Sequence, residues 1–378
     1  MKVQTFEWQP ASGWSADGLG SGDSGQTLVL AFGDPALAEE RRPIAELAGA
    51  FPQSAILGCS TSGQILDAEV SDGGLAVAAV RFENGRLRRA SAPLADASGS
   101  FAAGRSLGEE LADPELRSVL VLSDGLRVNG SELVRGLRSA LPESVVVTGG
   151  LAGDGDRFDS TWVLVDGEPR SGWVAAVGIC GGDLRIGHGS QGGWSIFGPE
   201  RRVTSSEGNV LYELDGKPAL ALYKSYLGEL ASGLPATALL FPLAVRANRD
   251  EEQVVRTILA VDEERQSMTF AGDVPQGSLA QLMMGNLDRL VAGAAEAAAA
   301  SAAPQRPGAE SIAIAISCVG RRLLMSERTE EETAASLAAL PAGTRQIGFY
   351  SYGELSPGAN GFCDLHNQTM TMTTLGEA

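Results

Sequence analysis

Lysine, histidine and cysteine are all scarce in these 378 residues, and each scarcity removes a class of function. The only lysines are Lys2, Lys217 and Lys224, and the other basic residues are arginine, a skew that points to a GC-rich bacterial genome. With 29 basic and 47 acidic residues the formal charge is −18, so a polyanion is repelled, and neither nucleic acid nor an anionic membrane is expected as a partner. The only histidines, His188 and His366, supply almost no material for a multi-histidine metal site or a Ser-His-Asp mechanism. Cys59, Cys180, Cys318 and Cys363 show no short paired spacing, so neither a zinc site nor a CxxC redox motif is expected, and the thiols read as reduced and buried. No apolar run reaches the ~18 residues of a membrane span, and the Ala-rich stretch 290–303 is broken by Gly293 and Glu296. The first 23 residues lack a basic start followed by an apolar run, which argues against a secretory signal and for the cytoplasm.

What is present is globular. Hydrophobic residues make up 44% and charged residues 20%, and the length suits two or three domains. An internal repeat organises the first half. Leu28–Phe32 and Val119–Ser123 read as strands that end in small turn residues, each followed by a helical pattern. In the second copy Leu133, Val134, Leu137 and Leu141 follow a possible cap at Ser131; in the first, Ile44, Leu47, Ala48 and Phe51 follow Pro43, which restarts or kinks the helix. A second strand and a glycine turn come next, at Gly58 in one copy and at Gly149 and Gly150 in the other. Two further strands then form a hairpin, 74–80 with 87–90 and 172–178 with 184–188.

The C-terminal part reuses the unit, with a strand at Ile312–Ile316, a capping box at Thr329–Glu332 opening a helix, and a strand at Gln346–Tyr350. The spacing of Gly348, Gly353, Glu354 and Leu355 repeats that of Gly58, Gly63, Gln64 and Ile65, which predicts the same backbone bend. Parallel strands joined by helices, together with antiparallel hairpins, give an α/β fold shading to α+β: mixed sheets from repeated strand-helix-strand-hairpin units, stacked as a helix/sheet/sheet/helix sandwich. A helix capped by Asp215, with Pro218 in its first turn and Gly228 at its end, puts a domain boundary near residues 220–235. The expected division is an extension at 1–26 and domains at 27–222 and 223–378.

Few motifs carry chemistry. The glycine-rich segment 149–155 follows a strand but opens no helix and has no Walker lysine, so a plain turn outweighs a nucleotide cradle. Cys59 and Ser60 stand with Thr61 and Ser62 on a strand-end turn, either as a nucleophile or as hydroxyls bonding their own backbone. Residues 364–373 read as one strand bearing His366, Asn367, Gln368 and Thr369; this is either a polar ligand-reading ladder or a hydrogen-bonded core. Alternation lets His366 and Gln368 share a face while Asn367 points elsewhere. Arg201, Arg202, Arg256, Arg321 and Arg322 lie in apolar contexts, where a guanidinium meets a carboxylate of the ligand or of the protein, with Glu200, Asp215 and Glu354 as candidate partners. Tyr350 and Tyr352 serve either as pocket walls or as core.

Eight segments in order, at residues 58–65, 149–154, 209–220, 241–243, 271–277, 317–322, 348–354 and 365–370, resemble the FIST proteins, whose name abbreviates F-box and intracellular signal transduction. The resemblance runs from about residue 27 onward and implies N-terminal and C-terminal FIST domains. It further implies an intracellular sensor that binds a small ligand such as an amino acid and does not turn it over. With no fused output domain in view, the signal is expected to leave through a separate signalling protein. Some members are described as haem-based nitric oxide sensors, for which only His188, His366 or a cysteine could supply an axial ligand here. Three functions therefore stand: a small-ligand sensor, a haem sensor, and an enzyme with Cys59 or Cys318 as nucleophile. For the first, His366, Gln368, Asn367, Arg322, Tyr350 and Glu354 are expected to border a cavity shared with Cys59 and Ser60 or with Gly149 and Gly150.

Overall fold

A computed structural model of the chain describes every residue except 16–17, 251–252, 304–307 and 359–360. The expected unit occurs three times. Thr27–Gly33 runs parallel to Ala55–Ser60 across the helix Arg42–Ala50, with Leu75–Arg81 antiparallel on its other side. Leu116–Ser123 has the same relation to Val146–Leu151, the helix Gly130–Ala140 and Trp173–Cys180. Ser311–Cys318 repeats it with Thr344–Ser351, the helices Val319–Met325 and Thr329–Ala339, and Met370–Glu377. Gly58, Gly149 and Gly348 take the same register, opposite Ala31, Val121 and Ala315, and at each an added Cβ would run into that partner's carbonyl oxygen. Close backbone approach is what all three glycines supply, and Gly149 also takes a φ of +154°.

The units exchange strands. After its second strand each chain segment leaves its own sheet and adds to another: Gln64–Leu66 pairs with Thr344–Ser351, Gly353–Pro357 with Val146–Leu151, and Val163–Val165 with Ala55–Ser60. The far hairpin strands do likewise. Arg86–Pro93 edges the second sheet and Leu184–Gln191 the third, while Lys2–Gln9 fills the matching place in the first. The three sheets thus form a closed cycle.

Stacking involves three sheets rather than the two expected, because the alternating side chains of all three inner faces meet in one core that includes Leu30, Phe32, Leu122, Val177, Ile314 and Phe349. Helices cover the outer faces. Leu107 and Leu137 pack under the second sheet, Leu47 under the first, and Ala294 and Ala297 under the third. Between Leu184–Gln191 and the helix Leu287–Ser301 lies an inserted nine-stranded antiparallel sheet with its own core around Val203, Leu220, Met268 and Phe270. It contains Arg201–Glu207 as well as Leu279–Gly285, so its strands lie on both sides of residue 222.

Four local expectations change. Asn129, not Ser131, caps the helix Gly130–Ala140, its side chain accepting from Glu132 N. Asp215 sits in a left-handed turn with φ +51° and binds Arg201, and the following helix, Ala219–Leu227, starts after Pro218 without a side-chain cap. No capping box forms at Thr329: its hydroxyl donates to Ser326 O, and Glu332 is drawn into a buried ion pair instead. Residues 364–373 are not one strand. Cys363–His366 belongs to the second sheet and Met370–Glu377 to the third, and the chain crosses between them at Gln368, whose φ is +63°.

Candidate functional site

The crossing at residues 367–369 gathers most of the expected residues into a buried polar joint. Glu354, fully buried, accepts from Ser351 Oγ at 2.7 Å, Thr369 N at 3.1 Å and Thr369 Oγ1 at 2.9 Å, and burial pushes its carboxyl up to about 8. Beside it Arg321 and Glu332 form a fully buried pair at 2.6 Å, and Glu332 also accepts from Ser317 Oγ and from Tyr350 Oη at 2.8 Å. Gln368 donates to Leu239 O, while its Oε1 is buried with no partner. Asn367 Oδ1 accepts from Thr257 N, and His366 Nε2 lies 2.9 Å from Ser356 O. Arg322 faces away from this joint, forked onto Asp72 and reaching Ser62 O, with its guanidinium 5.6 Å from the Tyr350 ring centre. The joint therefore unites Tyr350, Glu354 and Gln368, holds His366 and Asn367 at its edge, and leaves Arg322 on the outer side.

The glycine turns hold themselves. Ser60 Oγ accepts from Trp162 N, Thr61 Oγ1 donates to Gly33 O, and Ser62 Oγ accepts from Gly155 N. Past Gly149 and Gly150, the buried carboxylate of Asp154 accepts from the backbone nitrogens of Phe158, Asp159 and Ser160, which fills the place a bound phosphate would need. The expected match of the first and third bends holds at Gly58 and Gly348 but not five residues on. Gly63 has φ +122° under the Arg322 guanidinium, whereas Gly353 is a strand residue paired with Leu151.

An open cleft lies elsewhere, where the helix Gly130–Ala140 meets the inserted sheet. Ser131, Val134, Arg135 and Arg138 recur at helical spacing on one face and form one wall of a cavity of about 340 Å³; Arg246, Arg256, Asp273 and Asp364 stand across it. A neighbouring cavity of about 390 Å³ shares Arg135, Arg138 and Cys363. Asn129 Nδ2 bonds Asp273 Oδ1 at 3.0 Å and ties the walls together at one end. Arg135 pairs with Glu132, Arg246 with Glu200, and Arg138 lies 4.3 Å over the Phe362 ring. Arg256, only 5% exposed, binds backbone carbonyls instead, including Leu365 O at 3.0 Å. The expected residues 366 and 367 thus lie directly behind this wall. The sequence signal for the wall was the periodic Ser131, Val134, Arg135 and Arg138 face, but nothing local says what it faces.

Nucleophilic and haem chemistry find little here. Burial pushes all four thiols up, most strongly at Cys59, Cys318 and Cys363, which disfavours the thiolate that would attack or ligate. Neither histidine lines the cavities described above; His188 sits on an edge strand opposite Thr373, and burial lowers its pKa. These residues do not fit an axially ligated haem. No helix among the described residues is long and apolar enough to cross a membrane.

The FIST N domain matches residues 27–217 and the FIST C domain residues 219–357. An uncharacterised protein of Methanocaldococcus jannaschii is 38% identical over 90 residues, which span 23% of this chain and 17% of that protein. Among solved structures, a cyanuric acid hydrolase from A. caulinodans aligns over 99% of both chains at 12% identity, with a TM-score of 0.37. PurLQS from Thermotoga maritima aligns over 84% of this chain and 74% of that one at 8% identity, with a TM-score of 0.20. Likenesses this distant carry no argument about activity.

Proposed function

Since the chain belongs to the FIST family, with the N and C domains in that order, we propose that it is a cytoplasmic sensory protein that binds a small polar ligand, such as an amino acid, and signals through a partner protein without turning the ligand over. The observation that supports this reading is the cleft, one wall of which comes from the FIST N domain and the opposite wall from the FIST C domain. A ligand held there touches both domains at once, so its binding energy bears on how they sit together. His366, Asn367 and Gln368 act behind the wall in this proposal. They hold the strand whose Leu365 carbonyl receives Arg256, and Glu354 and Tyr350 anchor the joint from the other side. The absence of an activated nucleophile at Cys59 or Cys318 favours binding over catalysis.

The test is a thermal-shift panel on the full chain with the common amino acids and other polar metabolites. A ligand at about 100 times its Kd adds about 2.7 kcal/mol of stability. A saturable shift with the compound recovered unchanged supports the proposal, and a compound that is consumed refutes it.

A further inference from the structure

We propose that Arg256 and Ser131 form an oxyanion subsite in the interdomain cleft, taking the carboxylate or phosphate group of the ligand. This rests on the reading of that cleft as the sensory site. Arg256 donates through Nε to Asp273 O and through Nη1 to Val255 O and Leu365 O, while Nη2 makes no hydrogen bond to the described residues. No carboxylate among the described residues forms an ion pair with it. Asp273 and Asp364 line the same cavity and attract the guanidinium only from beyond ion-pair distance, while accepting from Asn129 and, at 2.7 Å, from Leu365 N. Backbone carbonyls satisfy the donors they meet but supply no negative charge, so with no carboxylate of the described residues in ion-pair contact the buried guanidinium is only partly compensated, and an oxyanion in direct contact would complete that compensation.

The second observation is independent. Ser131 is 7% exposed, lines the same cavity, and its Oγ has no hydrogen-bond partner. Both groups converge beside Gly272, where an added Cβ would stand 3.1 Å from Ser131 Oγ and 3.2 Å from Arg256 Nε. A hydroxyl donor beside a planar guanidinium matches the geometry of an oxyanion, and the fixed positive charge of the guanidinium repels a cation from that spot. Arg138, which forms no ion pair with the described residues, stands on the same wall and adds attraction for an anion, whereas the charge of Arg135 is taken up by Glu132.

The experiment uses calorimetry and thermal shift on the full chain with inorganic phosphate, succinate, glutamate and, as neutral probes, glucose and acetamide. The expected result is saturable binding of phosphate or of the carboxylates, with the stronger series identifying the oxyanion. Ser131→Ala, which removes no protein hydrogen bond, should weaken that binding at least threefold, and Arg256→Gln at least tenfold. Because Arg256→Gln also loses carbonyl contacts, Ser131→Asp serves as the second variant: it places a carboxylate beside Arg256 and should abolish the response in a folded protein. Oxyanion binding that survives in Ser131→Asp and Ser131→Ala overturns the subsite. Binding of a neutral probe alone overturns the subsite and leaves the sensory reading standing. Failure of every probe, with the amino-acid and metabolite panel also silent, overturns both.

Discussion

Replacing Glu354 with glutamine isolates a carboxyl that burial holds up at about 8. In the unfolded chain this group titrates at its ordinary value near 4.5, so between the two values the folded state carries a proton that the unfolded state has lost. Stability contributed by such a group is fully present below about 4.5 and is lost as pH rises through about 8. The slope is about 1.4 kcal/mol per pH unit, and the full window sets an upper bound of about 5 kcal/mol. Glutamine mimics the protonated side chain, accepting from Thr369 N through its oxygen and donating to the Ser351 hydroxyl through its amide, so it removes the titration while keeping the joint filled. His188, whose pKa burial lowers, adds an opposite slope below about 6.5, but it is present in both proteins and cancels in the difference. The assay is urea unfolding of both proteins at half-unit steps from pH 5 to 8. The wild type should lose stability relative to Glu354→Gln steadily across that range. Parallel stability curves would refute the assignment of a protonated, buried Glu354.

Three further outcomes follow from the packing. Gly58→Ala and Gly348→Ala each drive a methyl into the carbonyl of the neighbouring parallel strand and should cost about 2–4 kcal/mol by urea midpoint, whereas Gly49→Ala, with open space around it on a helix, should be neutral or slightly stabilising. Glu332→Ala strands the fully buried Arg321 guanidinium and removes the acceptor of Tyr350 and Ser317, for an expected loss of about 3–5 kcal/mol, with a far smaller loss counting against the buried pair. At pH 7 all four thiols should react with a thiol-selective reagent far more slowly in the native chain than in urea, and a fast native cysteine would revive the nucleophile reading.

Sequence by itself determined the repeating unit and its class. Short apolar runs such as Leu28–Phe32 and Ile312–Ile316 have local causes for being strands, because that signal acts within a few residues of chain, and the glycines at 58, 149 and 348 recur at one place in the repeated unit. The FIST resemblance was likewise legible from segments in order. Tertiary structure alone decided where those units send their strands. The exchange that pairs Gln64–Leu66 with Thr344–Ser351 depends on contacts nearly 300 residues apart, and no periodicity encodes it. It also decided the fate of polar residues that look functional in a row: residues 364–373 alternate like one strand, yet the chain turns through Gln368 to change sheets, which buries Glu354 and Gln368 in a joint. Arg256 shows the same limit. Its charge is plain in the sequence, but whether a guanidinium is matched by a carboxylate or left beside a cavity depends on the distances that folding sets, and Coulomb energy depends on those distances and on burial rather than on position in the chain.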